Sequence, residues 1–181
     1  MRSGEILRRF TAQDGREVIL RTLRWDDLDD LAEYINSLVE EGADIFMNKK
    51  VTREEEASWL AEQLAALEKD ERLWLVAEVD GKVVGNSSLS LRKGYSTHVG
   101  EIGIGIMKGY RDVGIGTEML KTLIGKAREK GLKILLIDVF ATNKRAHHVY
   151  QKVGFKETGR RPKLIYKNGK YVDEILMAME L

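Results

Sequence analysis

One segment near the middle of the chain joins an apolar strand, a glycine-rich basic turn and the start of a helix. Isoleucine recurs at every second position from Ile102 to Met107, a pattern typical of a strand, and the turn Lys108–Val113 follows. From Gly114 onward, apolar residues recur at spacings of three to five, which predicts an amphipathic helix. Gly114 and Gly116 leave the first backbone N–H groups of that helix accessible, at the positive end of its dipole. The segment therefore predicts an anion site suited to a pyrophosphate.

Two common pyrophosphate-binding motifs do not fit this segment. A P-loop requires Gly-x4-Gly-Lys-[Ser/Thr], which the chain lacks. A Rossmann motif requires a third glycine where Met119 stands, and its turn is tighter than the long basic turn found here. Asp138 does follow the next apolar run, as a ribose-binding carboxylate would. A nucleotide-binding oxidoreductase therefore stays open as an alternative.

Two motifs resemble those of a known family. The run Arg111–Gly116 resembles the [Arg/Gln]-x-x-Gly-x-[Gly/Ala] motif of the GCN5-related N-acetyltransferases (GNAT), which bind acetyl-coenzyme A. The run Asn143–Phe155 resembles the family's N-x-R-A-x-x-x-Tyr-x-K-x-G-Phe signature, with one predicted helix and one predicted strand between the two motifs. The second signature is matched at Asn143, Arg145, Ala146, Tyr150, Lys152, Gly154 and Phe155. The C-terminal run Lys170–Met179 looks like the branch that contains ribosomal-protein-alanine and small-amine acetyltransferases.

The resemblance implies the fold. It implies a single α/β domain over residues 1–181, with three α/β/α layers around a central mixed, twisted sheet in the order β-α-α-β-β-β-α-β-α-β-β. The residue pattern predicts the same order, with a first strand at Glu17–Leu23 and a hairpin turn at Asp80-Gly81. A short strand near Phe155–Thr158 and a final strand at Glu174–Leu181 complete it.

Composition narrows the class of protein. The formal net charge of +1 provides no global field for recruiting nucleic acid. No apolar stretch approaches the ~20 residues of a membrane-spanning helix, and no signal peptide is visible, so we expect no membrane partner and a cytoplasmic location. The absence of cysteine excludes disulfides and thiolate ligands. His147 and His148 have no partner at ligand spacing, so the sequence predicts no metal.

The resemblance implies that acetyl-CoA binds along the central strand and at the helix start. We expect Ile104 and Ile106 to offer backbone groups to the pantetheine arm. The pyrophosphate is expected to contact mainly backbone N–H groups in the turn and first helical positions, namely Arg111, Val113, Gly114, Ile115, Gly116 and Thr117. Asn143 is expected to cap the following helix and to contact the coenzyme, with Arg145 beside it.

Acetyl transfer to an amine requires a base for the amine and an acid for the departing thiolate. Glu101, at the start of the central strand, is the predicted base, and the family often has a glutamate with that role near this position. A surface ion pair is the alternative role for Glu101, and His98 is the rival base. Tyr150 is the predicted acid, and a purely structural place in the core is the alternative for it.

The acceptor and the assembly stay open in the sequence. The loop after the first helix is acidic at Glu40, Glu41 and Asp44, which favours a cationic amine, whereas the last hairpin is basic. We expect either a small amine or a protein N-terminus to accept the acetyl group by direct attack in a ternary complex, and a homodimer is possible. The alternative within the same fold is an acyl-CoA sensor without turnover.

Overall fold

A computed structural model of the protein describes all 181 residues, as eight strands and four helices. None of the helices combines the length and apolar character needed to cross a bilayer. The elements in chain order are β1 (Ile6–Thr11), β2 (Glu17–Thr22), α1 (Leu28–Glu40), α2 (Arg53–Glu68), β3 (Arg72–Val79), β4 (Lys82–Leu91), β5 (Val99–Ile106), α3 (Ile115–Glu129), β6 (Ile134–Phe140), α4 (Lys144–Val153), β7 (Lys156–Lys167) and β8 (Lys170–Glu180).

All eight strands form one mixed sheet, in the order β1-β2-β3-β4-β5-β6-β8-β7. Only β5 and β6 are parallel, and every other neighbouring pair is antiparallel. The predicted mixed α/β fold is thereby confirmed. A Rossmann unit needs a mostly parallel sheet, so the topology contradicts the dinucleotide-binding alternative.

The predicted element order is wrong at the N-terminus, where it lacks one strand. β1 pairs with β2 as a hairpin, and Arg8 and Arg9 lie in it. Because β1 is an edge strand with no fully buried residue, its sequence carries no apolar alternation to indicate it. β7 is likewise longer than the predicted short strand, and its register shifts between Arg161 and Ile165, around Pro162. An edge strand tolerates this proline because its outer N–H needs no partner.

Helices pack on both faces of the sheet. Leu73, Leu75 and Ala77 of β3 belong to the large apolar cluster that contains the buried residues of α3. Val76, between them, belongs to a smaller cluster with Leu31 of α1 and Leu60 of α2. Alternate residues of a strand point to opposite faces, so α1 and α2 cover one face and α3 covers the other. We call these the α1 face and the α3 face.

The sheet opens between its two parallel strands. The β5–β6 pairing begins at Val99 and Ile134 and ends at Ile102 and Ile137. β5 nevertheless continues to Ile106, still paired on its other side with β4, and β6 continues to Phe140, still paired with β8. Beyond the last pair the two strands have no bridge between them, so the sheet splits into two arms.

Glycine allows α1 to approach the β5 arm. A Cβ atom on Gly105 would collide with the hydroxyl of Tyr34, a buried residue of α1. Because successive residues of β5 point to opposite faces of the sheet, Gly103 lies on the α1 face with Gly105, while Ile104 and Ile106 point to the α3 face. A Cβ on Gly116 of α3 would indeed lie 3.1 Å from Ile106 Cδ1.

A buried ion network fixes the start of α1 against the sheet. Arg21 of β2 donates from Nη1 and Nη2 to both carboxylate oxygens of Asp27, at 2.8 and 2.7 Å. It donates from Nε to Glu78 of β3 at 2.7 Å. Arg21 and Asp27 are 2% and 1% exposed, so neither charge reaches water. Such a pair stays stable only while both partners are present.

We expect Arg21→Met to lower the free energy of unfolding by about 3–5 kcal/mol, because it leaves the buried Asp27 carboxylate with only the partly exposed Arg24 as a counter-ion. Urea denaturation followed by circular dichroism measures this change. The control is Arg53→Met, which removes an exposed pair with Asp29 and should leave the urea midpoint nearly unchanged. Equal midpoints for the two variants would contradict a structural role for the Arg21 network.

Candidate active site

A cleft of about 740 Å³ occupies the split between β5 and β6. Its walls are the β5 arm, the β6 arm, the N-terminal ends of α3 and α4, and the loop that follows α1. It brings together nine of the twelve residues that the sequence singled out: Ile104, Ile106, Arg111, Gly114, Gly116, Thr117, Asn143, Arg145 and Tyr150.

The β5 arm presents unpaired backbone to this cleft. Met107 N–H donates to Val84 O of β4 at 2.9 Å, so odd-numbered residues of this arm direct their backbone groups to β4. The N–H and C=O groups of Ile104 and Ile106 therefore point to the gap where β6 has diverged. One of them is already used, because Arg111 Nε donates to Ile106 O at 2.7 Å. The remaining groups are available to a ligand that lies along the arm.

The N-terminus of α3 forms one end of the cleft. Gly114 is its N-cap residue, with a φ of 92° in the left-handed region that favours glycine, and no side chain caps the helix. The first N–H groups of α3 consequently keep no capping partner, as an anion site requires. The helix α4 differs, because Asn143 Oδ1 accepts from Ala146 N–H at 3.1 Å. The cap that the sequence predicted for Asn143 is therefore present.

Basic side chains cluster at this end. The side chains that line this end are those of Arg111, Lys144 and Arg145. Arg145 Nε lies 3.3 Å from Asp112 Oδ1. Arg111 is held inward, since its Nη2 pairs with Glu41 at the end of α1 while its Nε binds the β5 arm. The Arg111 guanidinium thus links the turn before α3 to α1.

Two of the predicted coenzyme-binding residues lie outside the cleft. Ile115 is 1% exposed and belongs to the large apolar cluster. Val113 packs against the same cluster, and its carbonyl accepts from Gln13 N–H at 2.9 Å. The side chains of both residues anchor the α3 start in the core, which leaves only their backbone groups for a ligand.

Tyr150 lines the cleft from α4. It is 6% exposed, its ring packs beside Phe155, and no protein group hydrogen-bonds its hydroxyl. Burial raises the pKa of the Tyr150 phenol, because the charged phenolate is poorly solvated there. The phenol therefore keeps its proton at neutral pH and can donate it to a group in the cleft.

Glu101 does not line the cleft. Its side chain is 49% exposed, and Arg92 Nε donates to Glu101 Oε1 at 2.6 Å. Glu101 pairs across the strands with Leu136, before the split, so it lies roughly 7 Å along β5 from Gly103, where the opening starts. His98 is exposed and precedes β5.

Two carboxylates that the sequence did not assign to catalysis line the opposite side. Asp138 is the first β6 residue after the last β5–β6 pair, and Glu174 of β8 lies opposite Phe140. Arg161 Nη1 donates to Asp138 Oδ2 at 3.0 Å and also to Glu174 Oε2. Asp138 is a charged residue inside the otherwise apolar run Ile134–Phe140, and this is the sequence feature that could have indicated a functional role for it.

The loop after α1 crosses this side of the cleft. Lys167, at the end of β7, donates to Gly42 O at 2.7 Å, Ala43 O at 3.0 Å and Asp44 Oδ1 at 2.6 Å. Thr142 donates to the other Asp44 oxygen at 3.0 Å. Phe46 packs edge-on against Phe140, with 5.0 Å between ring centroids. The loop is thus fixed to the β6–β8 arm.

Comparison with known proteins agrees with this geometry. The chain is 26% identical to the L-amino acid N-acyltransferase MnaT of Escherichia coli over 90% of this chain and 93% of that protein. Its structure resembles a ribosomal-protein-alanine N-acetyltransferase from Brucella melitensis, with a TM-score of 0.78, 28% identity and coverage of 90% and 99%. It also shares its fold with yncA of Salmonella typhimurium, solved with its cofactor acetyl-CoA (TM-score 0.78, 21% identity, coverage 91% and 94%).

The family comparison matches more than half of the chain. Residues 34–155 match the Acetyltransferase (GNAT) family, and this range contains the β5 arm, the α3 start and the α4 signature together. With the split sheet and the uncapped helix end, the match confirms what the two sequence motifs indicated: the chain belongs to the GNAT family of acetyltransferases.

Proposed function

We propose that this acetyl-CoA-dependent N-acetyltransferase moves the acetyl group to a primary amine by direct attack in a ternary complex. One observation supports this most directly. The cleft passes through the split sheet, with an uncapped helix end and an unpartnered phenol on the α3 side and carboxylates on the other. A thioester held in the split would meet both groups without leaving the cleft.

The coenzyme is proposed to lie along the β5 arm. Its pyrophosphate would accept hydrogen bonds from the backbone N–H groups at the start of α3, those of Gly114, Ile115, Gly116 and Thr117. Val113 would end the turn before them, with its carbonyl bonded to Gln13 N–H. Its pantetheine amides would pair with the free backbone groups of Ile104 and Ile106, as a β-strand does. Arg145 and Asn143 at the start of α4 would border the phosphates, and Arg111 would bring a positive charge to the same end.

Tyr150 is proposed as the acid. The leaving thiolate needs a proton, and a phenol kept neutral by burial, with no competing protein acceptor, is available to supply it. The hydroxyl belongs to the α4 wall, on the side where the pantetheine arm is proposed to end.

Asp138 is proposed as the base in preference to Glu101. Both belong to the α1 face, but only Asp138 lies at the split and lines the cleft. Its Oδ1 has no hydrogen-bond partner in the protein and could accept the amine proton directly or through water. Glu101 would act only through a longer chain of water, and its carboxylate is already paired with Arg92.

The Gly116→Glu variant should lose the rise in melting temperature that acetyl-CoA gives the unmodified protein. A carboxylate at this position would lie in the anion site and repel the pyrophosphate. Thermal melts with and without acetyl-CoA measure the shift. Gly125→Glu is the matched control, because it places the same side chain on α3 where no atom lies within 4 Å of the added Cβ. If acetyl-CoA raises the melting temperature of Gly116→Glu as much as that of the unmodified protein, the coenzyme does not bind at the α3 start.

The Tyr150→Phe variant should lower kcat by about 10²- to 10⁴-fold while acetyl-CoA affinity changes little, because the ring and its packing stay and only the proton donor is lost. Steady-state release of free CoA measures kcat, and isothermal titration measures the affinity. Tyr166→Phe, at an exposed tyrosine of β7, serves as the control and should keep full activity. Unchanged turnover in Tyr150→Phe would leave Tyr150 a core residue only.

The Asp138→Asn variant should lower the rate at neutral pH and regain part of it as the pH rises, because a larger share of the acceptor amine is then already deprotonated. Glu101→Gln should keep the pH profile of the unmodified protein. The pH dependence of kcat/KM for both variants decides between the two carboxylates. A loss confined to Glu101→Gln would restore Glu101 as the base.

A further inference from the structure

The split in the sheet separates charges as well as faces. At the α3 end, the cleft is lined by Lys144 and Arg145, with Asp112 as the acid beside them. On the other side it is lined by Asp44, Asp138 and Glu174. Because the coenzyme is proposed to lie at the α3 end, the acidic side is the one that an acceptor would meet.

We propose that the acceptor is a cationic amine with no carboxylate beside its reacting nitrogen. This rests on the proposed function, which it narrows to one substrate class. Amines, amino-acid amides and peptide N-termini belong to that class, and free α-amino acids do not.

On the acidic side of the cleft, Asp138 and Glu174 each keep one carboxylate oxygen without a partner in the protein. Arg161 occupies Oδ2 of Asp138 and Oε2 of Glu174, and neither Asp138 Oδ1 nor Glu174 Oε1 accepts a hydrogen bond. Glu174 is only 2% exposed, and its remaining oxygen is unpaired where the residue borders the cleft. An unpaired carboxylate oxygen of a largely buried residue is stabilised by a donor, and an ammonium group supplies three.

The two cations on this side, Lys167 and Arg161, are paired with protein groups and do not line the cleft. Lys167 directs its ammonium to three oxygens of the loop after α1, which matches its three donors. Arg161 shares Nη1 between two carboxylates and does not line the cleft. Arg111 does line the cleft, but at the end proposed for the pyrophosphate, and two of its nitrogens are held by Ile106 O and Glu41. On the acceptor side, no cationic side chain therefore lines the cleft to meet a substrate carboxylate.

The charge balance points the same way. Asp44, Asp138 and Glu174 carry three negative charges, and their partners Lys167 and Arg161 carry two positive ones. An ammonium brings that side to neutrality before it gives up its proton. The carboxylate of an α-amino acid is two bonds from the nitrogen, so it would be desolvated beside the same acids, and like charges at an interface are a means of rejecting a ligand.

The test compares substrates that share a side chain and differ in that carboxylate, namely alaninamide with alanine and phenylalaninamide with phenylalanine, and free CoA thiol is measured. Because the amide also lowers the pKa of the neighbouring amine, rates are measured across a range of pH and kcat/KM is expressed per concentration of neutral amine. We expect kcat/KM for each amide to exceed that for its amino acid by at least about tenfold. An equal or reversed ratio would overturn this proposal and leave the proposed function intact, whereas no turnover with any amine would count against the proposed function itself.

Variants locate the preference in the cleft. Glu174→Gln and Asp44→Asn should each reduce the amide-to-acid ratio several-fold, because each removes a negative charge from the acceptor side. Glu157→Gln, which changes an exposed acid of β7 paired with Arg160, should keep the ratio. If Glu174→Gln fails to fold by thermal melt, Asp44→Asn decides. An unchanged ratio in a folded Glu174→Gln or in Asp44→Asn would overturn the assignment.

Discussion

The cleft of this protein exists because two parallel strands, β5 and β6, stop hydrogen-bonding to each other partway along their length. β5 and β6 pair for only four residues each and then separate, although each remains paired to its other neighbour. Unpaired backbone in a sheet interior is costly unless a ligand or water satisfies it. The split therefore leaves backbone N–H and C=O groups of β5 free to pair with an extended substrate. It also opens a passage between the two faces of the sheet.

Side-chain cations hold the loop after α1 over that passage. Arg111 joins the end of α1 to the β5 arm, and Lys167 joins the next residues of the loop to the hairpin of β7 and β8. The two arms of the split sheet are thus connected through one loop. The Lys167 contacts also hold a cation of the acceptor side away from the cleft, so the interactions that shape the cleft help to set its charge.

Particular elements show why prediction succeeded or failed. The α3 start was predicted because glycine, apolar spacing and strand pattern all lie within one short segment. The strand β1 was missed because an edge strand that buries none of its side chains fully has no alternation to reveal it. Glu101 is predicted as the base from its position on a strand and from the family resemblance, and that role stays a prediction. Whether a strand residue reaches a cleft depends on where pairing ends, and that is a property of two strands far apart in sequence.

The sequence by itself determined the family, the uncapped glycine start of α3, the Asn143 cap and Tyr150 on the following helix, because each is a local pattern of spacing and residue type. The tertiary structure alone decided which carboxylates face the cleft. Asp138, Glu174 and Asp44 come from a strand, a distant strand and a loop, and they meet only after the sheet has closed around them. Their free oxygens follow from where Arg161 and Lys167 lie, and long-range ion pairing leaves no periodic trace in a sequence.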